Sequence, residues 1–155
     1  MADTVREQII QAFATKLATV TVANGYHYDV GNSVERAVPA KTKDQVPALV
    51  LWDTNDSVAE IQNYSGGHIA LPLLVNAFIA VDPLVNNSVA ANRLLGDLIK
   101  AMTSGDTTLG GLADSTRYTE SQMEYPQPGE QTIGVNVVFN LMFNFAKGDP
   151  FTTQP

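Results

Sequence analysis

The strongest constraint on the fold is the run Ile133 to Phe145, in which every second residue is apolar. Ile133, Val135, Val137, Phe139, Leu141, Phe143 and Phe145 fall on one side, and Gly134, Asn136, Val138, Asn140, Met142 and Asn144 on the other. A period of two sends successive side chains to opposite faces of a pleated strand, so the run predicts a long strand with one continuous apolar row. That row calls for a helix layer. The opposite row mixes Asn with Val and Met, and Val138, Asn140, Met142 and Asn144 are the candidate residues for meeting a neighbouring subunit.

The helices that could cover the first row are visible elsewhere. Val5, Ile9, Phe13 and Leu17 within Asp3 to Val20 form an amphipathic stripe, capped by Asp3 or Thr4 and stopped at Asn24-Gly25. Val85, Val89, Ala91, Leu94, Leu95, Leu98, Ile99 and Met102 recur at three and four and predict a second helix. Its cap is either Asp82, with Pro83 in the first helical position, or an Asn or Ser of Asn86-Asn87-Ser88.

Between and after them the pattern reads as strands. Tyr26 to Val30 alternates and a turn at Gly31-Asn32 leads into Val34 to Val38. Pro47 to Trp52 is continuously apolar, as in a strand covered on both faces, and Val58 to Tyr64 alternates again. Ser65-Gly66-Gly67 links to a long strand from His68 to Val81, in which Pro72 is tolerable only near the start, at an edge or at a bulge. Thr116 to Tyr125 precedes the closing strand, and Gly148 to Pro155 reads as an irregular tail. The expected fold is α+β: one domain, a mostly antiparallel sheet with two α-helices packed on one face. The other face needs a cover that so short a chain does not obviously supply, which points to assembly.

Composition agrees. The 155 residues are 45% hydrophobic but only 16% charged, well below the usual quarter, so much of the polar surface is Asn, Thr, Ser and Gln, which are cheaper to bury against a partner. Nine Lys and Arg stand against 16 Asp and Glu, a net charge of −7 that disfavours holding a phosphate backbone. The absence of cysteine excludes disulfides and thiolate metal sites. Neither a signal peptide nor a membrane span is expected, since the longest apolar stretch, Ile69 to Val81, is short and carries Pro72 and Asn76.

Catalytic chemistry finds thin material. His27 and His68 are the only histidines, and neither is spaced with a second metal ligand. Asp53, Asn55, Asp56 and Glu60 have a calcium-loop flavour but lack the turning glycine. Ser65-Gly66-Gly67 and Gly110-Gly111 are lone glycine pairs without a phosphate-loop lysine, and Trp52 at a strand end reads as core or interface. No cofactor is expected, and a ligand- or metal-binding domain using His27, His68 and the 53–60 segment is the competing reading.

Arg6-Glu7-Gln8-Ile9-Ile10 in the first helix, Gly25-Tyr26 before a strand ending in Arg36, Val46-Pro47-Ala48-Leu49-Val50, and a long last strand closing on Gly148-Asp149-Pro150 together resemble the tail terminator family of long-tailed bacteriophages. The likeness runs over nearly the whole chain. It implies a non-enzymatic virion protein of the tail or neck, assembled in the host cytoplasm into a ring, usually of six copies, that caps the tail tube. Such a ring stops tube polymerisation, and sheath polymerisation in contractile tails, and faces the head connector. DNA passes its lumen unbound, in keeping with the acidic charge. Candidate contacts with tube, sheath or connector are Lys41, Lys43 and Asp44 in one loop and Thr107 and Thr108 in another. Another neck adaptor is the nearest alternative.

Overall fold

A computed structural model describes residues 2–53, 57–60, 68–146 and 148–153. The chain forms helix α1 (Val5–Leu17), strands β1 (Val34–Arg36), β2 (Ala48–Asp53), β3 (Ser57–Glu60) and β4 (His68–Ala80), helix α2 (Asn87–Thr103), and strands β5 (Thr116–Glu124) and β6 (Thr132–Phe143). The strands make one sheet in the order β1-β2-β4-β6-β5, with β3 pairing to the first residues of β4. All pairings are antiparallel except β1 with β2. Pro72 falls between the part of β4 paired with β2 (Leu73 to Phe78) and the part paired with β3 (His68 to Ala70), where its missing N–H breaks neither register.

The inner row of β6 lies where its alternation predicts. Ile133, Val135, Val137, Phe139, Leu141 and Phe143 are buried with Leu71, Leu73, Val75, Ala77 and Ile79 of β4. Against them pack Val5, Ile9, Ile10, Phe13 and Leu17 of α1 and Ala90, Ala91, Leu94, Leu98, Ala101 and Met102 of α2. Both helices therefore cover one face, and Phe13 meets Phe139 edge-on at 5.7 Å. Thr4 caps α1 by accepting from the Glu7 N–H at 3.1 Å, and Asn86 caps α2 by accepting from the Ser88 N–H at 2.9 Å. Asp82 instead closes the preceding turn onto the Leu84 N–H.

Two expectations fail locally. Tyr26 to Val30 is not a strand: residues 21–33 form two 3₁₀ turns, Val22–Asn24 and Val30–Asn32. The backbone there is claimed by a side chain of α2. The Asp97 carboxylate, only 4% exposed, accepts from the His27 N–H at 2.8 Å, the Tyr28 N–H at 3.3 Å and the His27 ring nitrogen at 2.8 Å. Gly31 then passes beneath the end of α1, so close that a Cβ would lie 2.7 Å from the carbonyl oxygens of Ala18 and Val20. Second, β1 ends at Arg36 and runs parallel to β2, because residues 37–47 carry the chain back to the end it came from. The tail from Gly148 to Thr153 carries no helix or strand and folds back on the body. The Pro150 carbonyl accepts the Val5 N–H at 2.8 Å, one of the donors a helix start leaves open, and Asp149 holds the Phe151 N–H and the Thr152 hydroxyl.

An ion cluster joins the start of α1 to the sheet. Arg6 reaches Asp53 at 2.8 Å, and Arg36 reaches Glu7 at 2.6 and 3.0 Å and Asp53 at 3.7 Å. The hydrogen bond from Arg36 draws the Glu7 carboxyl below its ordinary range and raises the guanidinium in turn.

Candidate assembly interface

The outer face of the sheet is laid out by register. Reading across the strands, Ala48, Phe78, Gly134 and Glu124 form one rung. Val50, Asn76, Asn136 and Gln122 form the next, then Trp52, Leu74, Val138 and Glu120, then Pro72, Asn140 and Arg117, and last Ala70 with Met142. Asn76 donates to Asn136, which donates to Glu124 at 2.8 Å, so a polar string crosses an otherwise apolar surface.

This face is covered at one end by the chain itself, which corrects the expectation of a wholly bare surface. Ala48, Val50 and Phe78 are buried although they point away from the helices. Residues 37–46 lie over that corner: the Lys41 side chain is only 9% exposed and pairs with Glu35 at 2.6 Å. A cleft of about 720 Å³ separates Ala40, Lys41, Thr42 and Lys43 from Phe78, Glu124 and Thr132. In the remaining rungs the residues of β4 and β6 and Trp52 are half-buried while Gln122, Glu120 and Arg117 of β5 are exposed, and a groove of about 430 Å³ runs over Leu74, Val138, Asn136 and Gln122 with Glu120 at its side. Val138, Asn140 and Met142 thus share a face with Leu74 and Pro72 of β4, which no motif announced, and with Trp52 of β2, which the sequence reads as core or interface. Asn144 continues the row just past the end of β6, also half-buried.

The loop residues fall apart into two places. Thr42 and Gln45 form a capping box around the short 3₁₀ turn Lys43–Gln45, which leaves Lys43 and Asp44 exposed beside Val81, Glu130 and Gln131. Thr107 and Thr108 lie at the opposite ends of the strands. The Thr107 carbonyl accepts from the Thr116 hydroxyl at 3.0 Å, and the neighbouring Asp114 N–H reaches Met142. The two sets are separated by most of the length of β4, roughly 35 Å at about 3.3 Å per residue. Lys41, paired with Glu35, lines the cleft beside Thr42 and Lys43.

The loop at Thr107 and Thr108 is organised by Asp106, which accepts from the Thr108 hydroxyl at 2.6 Å, the Thr108 N–H at 2.8 Å and the Gly110 N–H at 2.8 Å. The Thr108 hydroxyl, the Thr108 N–H and then the Gly110 N–H hold its carboxyl down to about 2. A depressed carboxyl contributes order that is complete above the ordinary carboxylate range near 4 and is lost as pH falls through about 2. A side-chain NMR titration is therefore expected to place Asp106 about two pH units below a free aspartate, and Thr108→Val to move it up by removing the largest contributor. An unshifted Asp106 would show that the loop is not held in this way.

His27 is tied to Asp97, Asp53 to Arg6 and Arg36, and Trp52 lies on the outer face. The His68 side chain, the side chain of Glu60, and Asn55, Asp56, Ser65, Gly66 and Gly67 lie outside the described residues. Among the described residues no three His, Asp or Glu side chains gather as a metal ion would require, and no helix is long and apolar enough to cross a membrane. Lys16, beside a shallow apolar groove of about 560 Å³ between the helices, donates to the carbonyls of Met102, Ser104 and Asp106 and so closes the C-terminal end of α2.

No family model and no curated protein matches the chain. Among solved structures it is similar to a chain in the virion of a native gene transfer agent (GTA) particle, with 14% identity, 90% of each chain covered and a TM-score of 0.46.

Proposed function

We propose that this chain is a non-enzymatic structural subunit of a phage-like virion, which closes into a ring on the end of a tail tube, stops its growth and presents a surface to the head connector. The observation that carries the reading is the outer sheet face. Its half-buried apolar rungs, from Trp52, Leu74 and Val138 to Ala70 and Met142, extend past the corner that residues 37–46 cover, and among the described residues they stay partly open, a surface suited to other chains. The placement of the loops supports the same reading: Lys43 and Asp44 at one end of the strands and Thr107 and Thr108 at the other suit a ring with two different neighbours, one on each rim. The family-like order of elements adds the identity of those neighbours: a tube protein, with a sheath in contractile tails, and a connector.

A ring subunit of net charge −7 gives an acidic lumen through which DNA slides without adhering. Native mass spectrometry and negative-stain microscopy of the purified protein, alone and with polymerising tail tubes, test the proposal. Closed rings of about six copies, free or at tube ends, are expected; tubes that lengthen unchecked with no density at their ends would overturn it.

A further inference from the structure

Resting on the assembly reading above, we infer that the outer sheet face of one copy seats the exposed stripe of α2 from a second copy, head to tail. The stripe consists of Val89, Asn92, Arg93, Gly96 and Lys100, all exposed and within about 100° of one another around the helix. It carries two cations and no acid, because Asp97, the one acidic residue of α2, is turned inward onto His27 and Tyr28. Lys100 is exposed, with its ammonium 5.2 Å from the centre of the Tyr26 ring.

The sheet face offers the complement. Glu120 flanks the groove over Leu74 and Val138, and Glu124 lies two rungs further on, with Arg117 the single cation of that border. In a chain of net −7 the α2 stripe is an island of the opposite sign, and a carboxylate-edged apolar face is the surface it fits. Gly96 adds a second reason. Glycine weakens a helix interior, yet a Cβ there would meet nothing within 4 Å inside the subunit, so the chain's own packing gives no cause for it. A helix whose axis must come close to a facing sheet supplies one. Because α2 packs its other side on the inner face of the same sheet, stripe and outer face look in opposite directions through the subunit. Copies joined this way make a heterologous contact that repeats from copy to copy instead of ending at a dimer, and it closes into a ring where the rotation between successive copies allows.

Two variants separate this docking from other contacts of the sheet. Gly96→Glu blocks the helix stripe at a position with open space and a better helix former; Leu74→Glu blocks the sheet face at a half-buried position. Circular dichroism melts confirm that each is folded. At concentrations where the wild-type protein assembles, each variant alone is expected to be monomeric by native mass spectrometry, and an equimolar mixture to form one-to-one dimers through the single intact pair of surfaces. A Gly96→Glu protein that assembles like wild type, or a mixture that stays monomeric, would overturn the docking while leaving the assembly reading standing. Wild-type protein that is monomeric at millimolar concentration would also overturn the docking, and the growth of tail tubes in its presence would then decide the assembly reading separately.

Discussion

Phe139→Asp is expected to leave no folded protein at 25 °C, while Met142→Asp, three positions along the same strand, leaves a folded subunit that no longer assembles. Phe139 is fully buried, edge-on to Phe13 at 5.7 Å and to Tyr118 at 6.4 Å, in the layer between β6 and α1. Truncating such a ring costs about 3–5 kcal/mol, and an unpaired carboxylate in its place adds several more. That sum rivals the whole stability of a domain this size, about 5–15 kcal/mol. Met142 is on the outer row, half-buried beside Ala70, and its carboxylate can reach water in the isolated subunit. The cost there is expected to stay below about 1 kcal/mol. Circular dichroism gives the first difference and native mass spectrometry the second. If both variants unfold, or both assemble, the two faces of β6 do not have the roles assigned to them.

The second large effect is expected at Asp97. Removing its carboxylate strands the His27 and Tyr28 N–H groups beside α2, with no oxygen to accept them. An unsatisfied buried donor costs about 1–3 kcal/mol and these two N–H groups are part-buried, so Asp97→Ala is expected to lose roughly 1–3 kcal/mol and to melt about 3–9 °C lower. Asp97→Asn retains one acceptor oxygen and should lose about half as much. Amide hydrogen exchange at His27 and Tyr28 should accelerate in the alanine variant before the global transition. Unchanged exchange would mean that the 21–33 connection is held by Val30 and Gly31 alone.

Asp97 also shows where sequence reading reached its limit. Tyr26-His27-Tyr28 alternates as a strand would, since Tyr26 and Tyr28 turn toward the core and His27 toward Asp97. The partner that fixes this arrangement lies 70 positions along the chain, and no local period can register it. The strand β6 was legible for the opposite reason. Its alternation persists over twelve residues, and any slip by one would expose every inner side chain at once. The caps divide in the same way: Asp82 and Asn86 both offer an oxygen at the right chemistry, and only the turn through Pro83 and Leu84 assigns Asp82 to Leu84 and Asn86 to the helix.

The layout of the outer sheet face was half legible. Val138, Asn140 and Met142 could be placed on one row from their spacing, and the structure sets Leu74, Pro72 and Trp52 beside them through the pairing of β4 with β6 and β2. The cover at the far corner was not visible. Lys41 in a polar loop reads as a solvated cation, and its burial follows from the crossing of residues 37–47 that makes β1 parallel to β2. Nor could spacing reveal that Lys43 and Thr108 stand at opposite ends of the sheet, which follows from the direction of β4.

The most direct measurement is the length distribution of tail tubes in particles assembled with and without this protein, imaged by electron microscopy. The account predicts tubes of one length, each ending in a ring, when it is present, and overlong tubes of scattered length without attached heads when it is deleted. Tubes of unchanged length, still joined to heads, after deletion would contradict it.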